Sequence, residues 1–246
     1  QFGAAYTWSK ALGMTGGHGD ALAPGDSRKG NYAPLAFDRR HYLVFNYIYD
    51  TPKLGKGGNF LDNPVGRAVF NGWTISGVTT MTTGSPTNIG WNISGLSNLA
   101  ERFTGDPTWG ARVVLKGNPQ MSRDKRTIYS WLDSSVLAPP AKGSVGLESA
   151  LRYIYNPGVN NWDVSIFKSF PYTKNEQRFI QVRLEMFNAP NHPQFSGFNN
   201  GVTFDQTGKV TNLPTALGGG GGRWGFGAVN ATLDPRIVQI AAKLYF

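Results

Sequence analysis

The sequence predicts an all-β chain, an antiparallel up-and-down transmembrane β-barrel segment of about six strands with long extracellular loops. Three observations predict it. Segments along the chain alternate apolar and polar residues with the period of two that a strand imposes. The connections between them are by turns long and short. The composition, with 32 Gly, 15 Pro, 13% aromatic and only 16% charged residues, is rich in turns and aromatics and poor in charge.

Taken in order, residues 2–9 (FGAAYTWS) form an aromatic-rich first strand. Residues 40–50 (RHYLVFNYIYD) place Leu43, Phe45, Tyr47 and Tyr49 on one face, and Asn46 and Asp50 on the other. Residues 72–83 (GWTISGVTTMTT) are rich in the β-branched residues that suit a pleat, with Trp73 and Ile75 opposed to Thr74, Ser76, Thr80 and Thr82. Residues 161–170 (NWDVSIFKSF) set Trp162, Val164 and Ile166 against Asp163, Ser165 and Ser169. Residues 178–187 (RFIQVRLEMF) alternate most cleanly, Ile180, Val182, Leu184 and Met186 against Gln181, Arg183 and Glu185. Residues 236–246 close the series, with Val238, Ile240, Ala242, Leu244 and Phe246 apolar, and Gln239 and Lys243 in the opposite set. Strands of about nine to twelve residues span a bilayer when tilted by roughly 45°.

Residues 171–177 read as a short turn and residues 51–71 as a middling connection, whereas 10–39, 84–160 and 188–235 are long, polar and rich in Gly, Pro and Asn. A meander across a membrane sorts its loops in this way, with short periplasmic turns and long extracellular loops. A soluble sandwich has no reason to, and a soluble carbohydrate-binding sandwich is correspondingly disfavoured. Within the long loops, residues 101–137 carry enough apolar side chains, among them Val113, Val114, Leu115, Ile128, Trp131 and Leu132, to fold locally. The run Gly218–Gly222 is expected to be flexible, and it is no phosphate cradle, because no Lys-Ser/Thr follows it.

Composition removes several functions. No run of eighteen apolar residues exists to make a membrane helix. The absence of cysteine excludes a disulfide scaffold and thiolate metal sites, and the histidines, His18, His41 and His192, are far apart, so neither metal nor cofactor is expected. The net charge of +9 is scattered along the chain in short pairs such as Arg39-Arg40, which argues against nucleic acid as a partner. No enzymatic activity is expected. Asp163 and Glu185 carry no sign of converging as a hydrolytic pair, His192 sits in a Pro-flanked turn, and no G-x-S-x-G elbow occurs.

The polar strand faces therefore read as a lumen wall. Its candidates are Asp163, Gln181, Arg183, Glu185, Gln239 and Lys243, with the charges of Arg183 and Glu185 expected to pair with neighbours. Trp8, Tyr47, Tyr49, Trp73 and Trp162 lie near strand ends and are expected to form an aromatic girdle at the membrane interfaces. The loop tryptophans Trp91, Trp109, Trp131 and Trp224 either anchor loops or cap a ligand.

The series YTWSKAL, FDRRHYLVFNYIYDTPKLGKGG, GWTISGVTTMTTGSP, NNWDVSIFKSF, VRLEMFNAPNHPQF and DPRIVQIAAKLYF resembles the C-terminal part of TonB-dependent outer-membrane receptors. It is most similar to the Oar-like group, which carries a carboxypeptidase-regulatory-like domain. The resemblance implies a plugged barrel of about 22 strands that imports an organic nutrient or metal chelate with energy from the TonB complex. It also implies that Val238, Ile240, Ala242, Leu244 and Phe246 serve as the address read by the barrel-assembly machinery. Six strands fall short of the roughly eight of the smallest bacterial barrels, so the remaining strands and the plug are expected from an upstream part of the protein or from another chain. The expected setting is the bacterial outer membrane, with lipid as a partner and an unknown small-molecule or polymer ligand. The alternative is a surface or secreted β-rich structural or adhesive protein whose strand edges are completed by neighbouring chains.

Overall fold

The alternating segments pair in sequence order into a single antiparallel sheet. In the computed structural model, which describes residues 1–14, 27–52, 58, 63–173 and 178–246, its strands are β1 (Phe2–Trp8), β2 (His41–Asp50), β3 (Trp73–Thr82), β4 (Val159–Pro171), β5 (Phe179–Phe187) and β6 (Ile237–Tyr245). Each is hydrogen-bonded to its predecessor and successor, which is the meander that short and long hairpin connections produce. β1 and β6 each have one neighbour only, so among the described residues the sheet is open along two edges. The turn expected over 171–177 and the connections 10–39 and 51–71 lie partly outside the described residues.

Register fixes what each face carries. Ile166 stands opposite Ile75 and Leu184, and Leu184 opposite Ile240, so these four form one row across the apolar face. On the other face Ser165 stands opposite Ser76 and Glu185, and Glu185 opposite Gln239. A slip of one residue in any ladder would exchange the two rows, so the alternation specifies the pairing.

The connection between β2 and β3 contains a short helix, Pro64–Phe70. Its start follows from the sequence: Asn63 Oδ1 accepts from the Gly66 amide at 2.7 Å, and Pro64 occupies the first turn, where no amide is needed. Trp73 Nε1 donates to the Val69 carbonyl at 2.7 Å, and the Lys168 ammonium donates to the carbonyls of Ala68 and Val69. Lys168 is a cation on the face that carries Ile75 and Ile166. The helix buries it, satisfying its charge with carbonyls and with the rings of Trp73 and Phe170, 5.4 and 5.2 Å away.

The sheet holds little of the buried apolar core. The long connections 84–160 and 188–235 pack together into a cap at one end of the sheet, around Ile89, Ile93, Phe103, Val113, Leu132, Ile154, Phe198, Val202, Phe204 and Phe226. They also share backbone pairing, since Gly90–Ile93 runs parallel to Gly201–Phe204. Antiparallel pairs join Pro86–Thr87 to Ile154–Tyr155, Val114–Leu115 to Leu137–Ala138, and Phe195–Phe198 to Val229–Thr232. The expected local folding of 101–137 takes the form of a one-turn helix at Leu99–Thr104, short 3₁₀ turns and the 114–115 pair.

The glycine run corrects the expectation of flexibility. The amides of Gly219, Gly220 and Gly221 donate to the carbonyls of Pro214, Thr211 and Leu213 at 3.1, 3.0 and 2.9 Å. A Cβ at Gly219 would lie 2.1 Å from the Leu213 carbonyl oxygen, and one at Gly221 2.2 Å from that of Asn212. These glycines are required by backbone packed on backbone, and the contact holds the run in one conformation.

Candidate functional site

The polar face of the sheet brings together every residue expected to line a lumen. Asp163 (β4), Gln181, Arg183 and Glu185 (β5), and Gln239 and Lys243 (β6) share it, with Gln181 opposite Lys243 and Glu185 opposite Gln239. Arg183 is the centre of a short network. Its Nη1 lies 3.1 Å from Glu185 Oε1, its Nε donates to Gln181 Oε1 at 3.0 Å, and its guanidinium covers the Phe167 ring at 5.0 Å. Gln181 in turn donates to Ser169 Oγ at 3.3 Å. Half-exposed pairs of this kind fix side-chain direction more than they add stability. A trough of about 760 Å³ crosses this face between β1 and β5, lined by Asn46, Ser76, Asp163, Ser165 and Glu185 together with apolar Ile48, Val78 and Phe187.

Asp163 and Glu185 are not arranged as a hydrolytic pair. Glu185 is engaged by Arg183, and Asp163 Oδ1 accepts from Asn161 Nδ2 at 2.9 Å and from the Asn188 amide at 3.0 Å. Asp163 thus secures the point where β5 becomes loop. Asn188, buried and at φ 50, makes that turn, and its side-chain amide donates to the carbonyls of His192 and Asp234. Asn191, at φ 53, accepts from the Arg236 amide at the entrance to β6. Asparagine suits both positions because it tolerates the left-handed conformation and bonds to nearby backbone.

The opposite face carries Val238, Ile240, Ala242 and Leu244 of β6 together with all five girdle candidates, Trp8, Tyr47, Tyr49, Trp73 and Trp162. Trp8 and Trp162 stand towards the cap end of their strands, and Tyr49 and Trp73 towards the other. Much of this face has no protein covering it: Ile240 is 77% exposed and Leu244 59%. An apolar surface of this extent needs an apolar medium or a partner.

The cap is held to the first long connection by two arginines that sequence reasoning missed, Arg112, half-buried, and Arg152, fully buried. Arg112 Nη1 donates to the carbonyls of Gly30 at 2.6 Å and Ser149 at 2.8 Å, while Nη2 bonds Asn31 Oδ1 at 2.5 Å. Burial lowers the pKa of Arg112, and the Glu148 carboxylate acts against that. Arg152, buried and at φ 49, donates from Nε to the Pro34 carbonyl. No spacing marks these residues, because each partner is a distant backbone carbonyl or amide side chain. Of the loop tryptophans, Trp91 and Trp131 act as anchors, whereas Trp224 is 50% exposed. Trp91 donates to the Ala111 carbonyl at 2.7 Å and meets Phe103 edge-on, and Trp131 packs on Phe195 and Phe198.

Tyr153 gives the cap a measurable titration. Burial pushes its pKa up to about 12. In the unfolded chain the phenol ionises near 10, so its contribution is complete below about pH 10 and falls away as pH rises through about 12, by roughly 2–3 kcal/mol. Alkaline unfolding of the cap, followed by tryptophan fluorescence, is expected to lose this dependence in Tyr153→Phe. An unchanged alkaline profile in that variant would refute the assignment.

A two-faced antiparallel meander, apolar on one side and carrying the Gln181–Arg183–Glu185 network on the other, with folded loops gathered at one end, is the arrangement that the wall of an integral membrane β-barrel requires. The chain belongs to the outer membrane beta barrel domain family, whose model matches residues 1–239. It is a protein of the bacterial outer membrane. Among the described residues no three His, Asp or Glu side chains gather where they could hold a metal ion. Comparison with curated proteins and with solved structures gave no match.

Proposed function

We propose that this chain forms the C-terminal sector of a TonB-dependent receptor barrel of the Oar-like group, supplying wall and outer loops for uptake of an organic nutrient or metal chelate. The observation that supports the reading is the sorting of the two faces: Ile75, Ile166, Leu184 and Ile240 form an apolar row across β3–β6 on one side, and β5 carries the paired Gln181–Arg183–Glu185 network on the other. The apolar face meets lipid, the polar face and its trough meet a lumen, and the cap stands outside the cell. The two open edges are joined by further strands, since an unpaired edge in lipid costs several kcal/mol for each bare backbone group, on the order of a hydrogen bond unmade. The plug, and through it the TonB complex, is contributed from outside these six strands. The apolar row of β6, with Phe246, is the assembly address.

The test is growth of the host on single iron chelates and single carbon sources, with the gene intact, deleted, or intact in a strain lacking the inner-membrane energising complex. One substrate is expected to fail in both altered strains. Uniform growth of the deletion strain on every substrate it encounters at limiting concentration would refute an uptake role and leave a structural one.

A further inference from the structure

At the cap end of the sheet a groove of about 1130 Å³ opens between the apolar face and the loops above it. Its floor is the top of that face, His41, Leu43 and Met81, and its opposite wall is Arg123, Arg126 and Trp131. The wall is cationic by construction. Arg126 lies over the Trp131 ring at 4.9 Å and donates from Nε to the Met121 carbonyl at 2.8 Å, which turns its terminal nitrogens outward from that anchor. Arg40 adds a third guanidinium at the rim; its Nε is buried without a partner, and Asp38 is 3.9 Å from its Nη2. No aspartate or glutamate is among the residues lining the groove.

Arg123 and Arg126 line the groove together with no carboxylate among the lining residues, and a bound anion relieves the repulsion between them. The position of the groove says which anion. One wall is continuous with the apolar strand face, so the ligand has an apolar part that runs down Leu43 and a charged part that stops at the arginines. Guanidinium groups match phosphate oxygens in bidentate pairs, and their weak hydration suits them to an interface.

We propose that this groove binds an outer-leaflet glycolipid with a phosphorylated headgroup, the phosphates on Arg123 and Arg126 and the acyl chains against the apolar face. The inference rests on the orientation proposed above, with the cap outside the cell. Burial, and then the neighbouring Arg123 charge, lower the pKa of Arg126, in keeping with a cation pair that awaits a counter-charge.

The experiment uses the whole receptor extracted from outer membranes in mild detergent, with phosphorylated glycolipid per protein read by mass spectrometry. The pair Arg123→Glu and Arg126→Glu is expected to lower it about tenfold or more. The milder pair Arg123→Gln and Arg126→Gln, checked for a folded barrel by heat-modifiable mobility on a gel, is expected to lower it in the same direction. Added lipopolysaccharide should rebind to delipidated wild type, and its phosphatase-treated form should not. Equal lipid in wild type and the folded Gln variant, or equal binding of phosphatidylglycerol and lipopolysaccharide, would overturn the proposal. The chain has no cysteine of its own, so Ala141→Cys, at an exposed cap position outside the groove lining, provides a thiol for an impermeant label on intact cells. Labelling without lipid binding overturns the lipid site alone, whereas a protected thiol overturns the orientation on which it rests.

Discussion

Replacing Phe204 by alanine is expected to unfold the cap while the six-stranded sheet stays in the membrane. Phe204 is fully buried, packed with Ile93, Val202 and Phe226 where the two long loops meet, and its own strand segment pairs with Gly90–Ile93. Truncating a buried phenylalanine costs about 3–5 kcal/mol, a large share of what a small core can supply. None of the strands β1–β6 uses Phe204, so the loss is confined to the cap. Hydrogen exchange on the detergent-solubilised protein is the measurement: amides of 86–93, 113–115 and 201–204 should exchange faster while those of β4 and β5 do not. Loss of protection throughout would show that cap and sheet unfold as one unit.

Leu184→Arg is expected to abolish or severely reduce assembled protein in the outer membrane, whereas Glu185→Gln, one residue along, is expected to be tolerated. Leu184 lies in the row formed with Ile75, Ile166 and Ile240, near the middle of β5. A cation on the lipid face near the bilayer midplane costs roughly 2–4 kcal/mol, while a change on the lumen side avoids that penalty. Urea titration of the protein folded into lipid vesicles reads the difference. Equal stability of the two variants would mean that the apolar face does not meet lipid.

The strand faces were legible because each strand is long enough for its alternation to be counted. Over 178–187 the sequence Ile-Gln-Val-Arg-Leu-Glu-Met admits one assignment, and the face it defines carries straight across to Ile240 and Ile166 in the structure. The cap was not legible for the opposite reason. Its strands are two to four residues long and their partners lie in another loop, so Val202 and Ile93 show no period that announces their contact. Arg112 and Arg152 are invisible on similar grounds, because what defines them is hydrogen bonding to carbonyls of a distant segment. The glycine run misled because glycine permits both freedom and close approach, and sequence alone does not distinguish them. Asn188 and Asn191 were partly readable: in FNAPN an Asn ending a strand and another after proline mark a tight turn.

The parallel pairing of Gly90–Ile93 with Gly201–Phe204 sets an order of events. Its partners are separated by about 111 residues, the difference between positions 90 and 201, and β4 and β5 both lie between them. The entropy of closing so long a stretch has to be met before the contact returns anything, so this ladder forms after the hairpins it encloses. Each loop is therefore an open segment while the strands pair, and the cap condenses last, once strands on both sides of the interval have found their places.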